Sequence, residues 1–113
     1  MINPALGLFH YTSPMAHEAA AFDATLAAAA GEDAALLGEL RAAFIESFTQ
    51  QVDLLRRARC DGNWEVAAMR LKGLGASFHA PELVRLADQA LTGAPGEPGV
   101  LRKLDRLCAE FTG

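Results

Sequence analysis

Ala68-Met69-Arg70-Leu71-Lys72-Gly73-Leu74-Gly75-Ala76-Ser77-Phe78-His79-Ala80 is the stretch whose reading decides the fold. At about 100° per residue, Ala67, Leu71, Leu74 and Phe78 fall on one apolar stripe. Their spacings of four, three and four mark a helix with a buried face. Met69, Gly73 and Ala76 fall roughly opposite, so the pattern predicts that they face outward. Two glycines inside a helix cost stability, about 1 kcal/mol each relative to alanine. An outer face carrying glycine and alanine is expected to be cleared for close approach by another molecule, and a functional site is sought there.

Around this helix the chain has 113 residues, enough for one domain with a core. Apolar residues make up 51%. Alanine and leucine dominate while valine and isoleucine are scarce, which favours helix over sheet. The net charge is −4, and no region concentrates enough Lys and Arg to neutralise several phosphates, so no nucleic-acid partner is expected. The densest basic cluster, Arg56-Arg57-Arg59, belongs near a helix C-terminus, where it complements the dipole. Cys60 and Cys108 form no C-x2-C pattern and have no histidine at matching spacing. They are expected to be free thiols of a cytoplasmic protein that holds no metal and no cofactor. Cys108 falls on an apolar stripe as a small core residue. No apolar run approaches the ~20 residues of a membrane span, and the N-terminus lacks signal-peptide order.

In chain order, residues 1–12 form an extension containing Pro4 and Gly7 but also Ile2, Leu6, Leu8, Phe9 and Tyr11. That is too apolar for a solvated tail, so it is expected to drape over the bundle or pack on a partner. Ser13-Pro14 starts a helix that runs to Ala30 and stops at Gly31; a break near Phe22-Asp23 is a second reading. Asp33 caps a long helix from Ala34 to about Arg59, roughly 39 Å. Its core stripe is Leu37, Leu40, Phe44, Phe48, Val52 and Leu55, with Ile45 on the flank. Cys60-Asp61-Gly62-Asn63 makes a short turn, so the helix from Trp64 to Phe78 packs antiparallel beside it. Ala80-Pro81-Glu82 starts a helix with Leu83, Leu86, Ala87, Ala90 and Leu91 inside, ended by Thr92-Gly93. Glu97-Pro98 starts the last, with Val100, Leu101, Leu104, Leu107, Cys108 and Phe111 at helical spacing. The prediction is an all-α domain over residues 13–113, an antiparallel four-helix bundle preceded by a short N-terminal helix.

This order of elements, and the Leu71-Lys72-Gly73 run in particular, resembles the histidine-containing phosphotransfer (Hpt) domain of bacterial phosphorelays. That family's motif reads H-x-L-K-G, then small residues, then usually a glycine five or six residues later. Asp23 to Phe44 is similar to the family's opening, Asp61 to Val66 to its acidic turn, and Ala80 to Leu91 to the helix after the motif. The departure is at the centre. Two residues before Leu71, where the family carries its phosphorylated histidine, stands Met69. A thioether has no basic lone pair with which to attack an aspartyl phosphate or hold a phosphoramidate, whereas a neutral imidazole does both. The glycine at the helix end is replaced by His79.

The resemblance therefore implies a non-catalytic Hpt-like protein that docks a response-regulator receiver domain or a histidine kinase without carrying phosphate. Met69, Gly73 and Ala76 would form the centre of the docking face, with Lys72 at its rim and Ile45 contributing from the long helix. A rival reading keeps phosphotransfer and moves it to His79. That residue lies ten positions from Met69, roughly 15 Å along the axis and about 80° round it. A histidine whose charged form meets a helix C-terminus accounts for it more simply. His10 and His17 lie outside the motif. A third reading is a helical interaction or oligomerisation module with no signalling role.

Overall fold

The computed structural model describes residues 14–112, with side chains from Ala20 onward. The extension over residues 1–12, the Ser13 cap, His10 and the His17 side chain lie outside the described residues. All elements among the described residues are helices: α1 (Pro14–Ala30), α2 (Ala34–Arg57), α3 (Asp61–Ser77), α4 (Pro81–Leu91) and α5 (Pro98–Thr112).

Their ends follow from local chemistry. Gly31, at φ +68°, turns the chain out of α1 in a left-handed conformation open to a residue without Cβ. Asp33 then caps α2, its Oδ1 accepting the Leu36 N–H at 3.0 Å. α2 ends at Arg57, and the Ala58 N–H closes it onto the Leu55 carbonyl at 3.2 Å. The turn that follows is shorter than the expected Cys60–Asn63 turn. Cys60 is the extended cap, and Asp61, Gly62 and Asn63 already belong to α3. An acidic residue in the first turn meets the positive end of the helix dipole, so Asp61 favours the earlier start. Arg59 Nη1 donates to the carbonyls of Arg56, Arg57 and Ala58 at 3.0–3.4 Å, the helix-end role expected of this basic cluster.

The alternative break at Phe22-Asp23 does not form; α1 is continuous. Nor is α1 a short preface. It has 17 residues, as many as α3 and more than α4 or α5, and it buries Phe22 and Leu26 completely or nearly so. The Phe22 ring lies 4.3 Å from Phe44, 4.9 Å from Phe111 and 6.1 Å from Phe78, centroid to centroid. These are edge-on and tilted aromatic contacts, a geometry favoured beyond simple burial. The pattern of ring contacts sets α1 against the end of the molecule where α3 and α5 finish.

The other four helices close a cycle. α2 packs on α3, α3 on α4, α4 on α5 and α5 on α2, and no close backbone approach crosses either diagonal. The shared interior holds Phe44, Phe48 and Leu55 of α2, Leu71 of α3, Leu83 and Leu86 of α4, and Leu104, Leu107 and Phe111 of α5, all fully buried. Each such side chain contributes about 1.5–3 kcal/mol. The ion pairs Arg41–Asp23, partly exposed, and Arg56–Asp105, exposed, contribute about 0–1 kcal/mol each, so apolar burial holds the helices together. Trp64 adds a buried polar tie, its Nε1 donating to the Ala90 carbonyl at 2.7 Å. No described helix is long and apolar enough to cross a membrane.

Candidate functional site

α3 presents the two faces expected of it. Trp64, Ala67, Ala68 and Leu71 are buried, and Leu74 and Phe78 are half-buried against the same core. On the opposite side Met69 is 53% exposed, with Gly73 and Ala76 exposed beside it. Gly75 departs from the expectation. It is buried, because it stands only about 40° round the helix from Leu71, and α4 crosses over it. A Cβ at this position would meet Val84 Cγ2 at 2.9 Å, the Val84 nitrogen at 3.0 Å and the Ala80 carbonyl oxygen at 3.1 Å. Gly75 clears room for α4, whereas Gly73 has nothing within 4 Å of the same construction. The glycine cost on the outer face is thus one residue, not two.

Two further apolar residues join this face. Val66 is 49% exposed and Leu54 39%. Val66 was legible in the sequence, since it precedes Gly73 by seven residues and so repeats its direction to within about 20°. Leu54 was not, because it comes from α2. With Arg57, Asn63, Val66 and Arg70 it lines a shallow groove of about 360 Å³ between α2 and α3. Arg57 is tied within its own helix, its Nε donating to Asp53 Oδ2 at 3.0 Å.

Lys72 lies on the other border of the face and is not free. Its Nζ is 2.9 Å from Oδ1 of Asp88 on α4, with both side chains about half exposed. Ile45 is not brought to this site. It stands within about 40° of Arg41 and Thr49 on α2, and those residues reach toward α1 and α5. Arg41 bonds Asp23 and the Phe111 carbonyl, and Thr49 Oγ1 lies 3.6 Å from Cys108 Sγ. Ile45 is therefore half-buried on the α5 flank, and Leu54 holds the place expected of it.

His79 closes α3. Its N–H donates to the Ala76 carbonyl at 3.4 Å, and the Ala80 N–H donates to the Gly75 carbonyl at 2.8 Å. This is the paired closure in which the residue after the cap adopts the left-handed conformation, usually as glycine. His79 does so at φ +58°. Histidine is among the few residues that tolerate this region, so His79 fills a backbone role usually taken by glycine. Its side chain is exposed.

The arrangement presents an apolar, partly small-residue surface with arginines on one border and, on the other, the ion-paired Lys72 beside the exposed Glu65, which stands one turn before Met69 and about 40° round from it. Among the described residues, no group of three His, Cys, Asp or Glu converges as metal ligands. Cys60 is exposed and Cys108 half-buried, both as free thiols. Compared with protein-family models, curated proteins and solved structures, the chain gives no match.

Proposed function

We propose that this chain is a degenerate histidine-phosphotransfer-like docking protein of a two-component relay. In this reading α2 to α5 form an antiparallel four-helix bundle with α1 packed at one end. The outward face of α3 binds a response-regulator receiver or a histidine kinase in the cytoplasm without accepting phosphate. The observation that carries the reading is Met69, half exposed at the centre of an outward face kept low by Gly73 and Ala76. Apolar side chains of this size are mostly buried, and a contiguous exposed set is the usual mark of a binding surface. Methionine supplies adaptable contact area but no nucleophile for phosphoryl transfer. The Lys72–Asp88 pair supports the same reading, since an ammonium already matched by a carboxylate is poorly placed to neutralise a phosphoryl group.

The test is a receiver domain labelled on its aspartate with radioactive phosphate and mixed with this protein. Binding without transfer of label is expected, and Met69→Glu should abolish the binding. Acid-labile label appearing on this chain would overturn the reading. If that label were lost with His79→Ala, phosphotransfer through His79 would replace it. Receiver binding unchanged by Met69→Glu would favour a helical module with no signalling role at this face.

A further inference from the structure

The groove between α2 and α3 gives the docking face an electrical direction. Its floor includes Ala58 and Ala67, both buried, and the exposed Leu54 and Val66 stand over it from the two helices. Arg57 and Arg70 line it, and no Asp or Glu does. Arg57 is matched by Asp53. Arg70 is exposed and makes no ion pair among the described residues. The opposite border of the face carries the exposed Glu65 and the self-matched Lys72–Asp88 pair. The face is therefore net positive on its α2 side and net negative on its α4 side, in a chain of net charge −4.

Both walls of the groove are helices whose backbone hydrogen bonds close within themselves, so an extended strand would find no main-chain partner there. An occupant has to satisfy its own backbone, as a helix does. Asn63 and Arg70 point within about 20° of each other and lie about 10 Å apart along α3. That is two turns, over which a helix presents side chains at i, i+3 or i+4, and i+7. We propose that the partner lays an amphipathic helix in this groove, with an apolar side chain between Leu54 and Val66 and a carboxylate on the Arg70 guanidinium. The inference rests on the reading of this face as a docking surface and adds which way round the partner sits. A guanidinium donates two parallel hydrogen bonds to one carboxylate, a geometry that fixes direction as well as adding energy. A partner seated the other way would bring that carboxylate to the Glu65 border, where like charges oppose it.

The experiment is calorimetric titration of the full chain with a receiver domain, comparing the parent with Arg70→Glu, Glu65→Lys and Met69→Glu, together with methyl spectra of the labelled parent. Arg70→Glu is expected to weaken binding about tenfold or more, and Glu65→Lys to leave it within about twofold. The methyl signals of Leu54 and Val66 should shift as receiver is added. Changing one acidic residue on a receiver helix to lysine should restore binding to Arg70→Glu while weakening it to the parent. Binding that survives Arg70→Glu but is lost with Met69→Glu would overturn this orientation and leave the docking reading standing. So would Leu54 and Val66 signals that stay in place while the Met69 methyl moves, or a larger loss from Glu65→Lys than from Arg70→Glu. Absence of binding by the parent would overturn the docking reading and this inference with it.

Discussion

Lys72 of α3 and Asp88 of α4 form an ion pair, Nζ to Oδ1 at 2.9 Å, on the border of the exposed Met69 face. The pair joins the two helices that meet most closely, yet both side chains are about half exposed, so it contributes about 0–1 kcal/mol. Asp88→Asn is expected to change stability within that range. If the α3 face docks an acidic receiver pocket, releasing Lys72 should tighten binding, by up to about fivefold. Titration calorimetry on the two proteins decides it, and unchanged or weaker binding would count against Lys72 as a rim contact.

Gly75 and Gly73 should respond to alanine in opposite directions. A methyl at Gly75 meets Val84 and backbone atoms of Ala80 and Val84 at 2.9–3.1 Å, so α4 must move, at a cost of about 1–3 kcal/mol. A methyl at Gly73 meets nothing and removes the entropy cost of glycine in a helix, so stability should rise by about 0.5–1 kcal/mol. Urea melts followed by Trp64 fluorescence measure both. If Gly73→Ala also weakens receiver binding, the cleared surface belongs to the contact.

His79→Gly should stabilise the protein by about 1 kcal/mol. The φ of +58° is a conformation in which Cβ crowds the following carbonyl, a strain that glycine does not feel. The same melts test it, and a loss of stability would show that the imidazole makes a compensating contact.

Glu97 caps α5 from its side chain. Oε1 accepts the Val100 N–H at 2.8 Å and Oε2 the Gly99 N–H at 3.2 Å. The Val100 bond first, then the Gly99 bond, holds its carboxyl below the usual carboxylate range, with help from Arg102 and Lys103. A carboxyl with a lowered folded-state pKa adds stability above its unfolded-state value, about 4.3. That contribution is lost as the pH falls through the lowered folded value. Glu97→Gln should therefore be less stable than the parent at pH 7, with the gap narrowing toward pH 3. A gap that stays constant across that range would assign the effect to packing instead.

Met69→His restores the one group whose absence defines the proposed function. Gly73 and Ala76 leave the position open, and an exposed imidazole is a competent nucleophile near neutral pH. Acid-labile phosphate on the variant, and none on the parent, is the expected outcome when a phosphorylated receiver is supplied. Failure of the variant to accept label while still binding would place the face out of register with the receiver's aspartate.

Helix existence, type and most boundaries were fixed by periodicity and capping residues. Asp33, Gly31, Pro81 and Pro98 each act within a few residues of themselves, through one hydrogen bond or one dihedral angle. The outward direction of Met69, Gly73 and Ala76 was equally local, since 3.6 residues per turn sets it once the buried stripe is known. What the sequence could not reveal depends on which helix lies alongside which. Ile45 and Leu54 both border the core stripe of α2, and only the packing of α5 on one side and α3 on the other decides which of them adjoins Val66. Gly73 and Gly75 are the same residue type two positions apart, and only the passage of Val84 makes one a surface feature and the other a steric requirement. The charge of Lys72 was plain from the start, but its partner lies sixteen residues on, across a turn. The sequence alone determined five helices and the face of α3 that carries no core. Tertiary packing alone determined what borders that face, because neighbours brought together from different helices have no shared period in the chain.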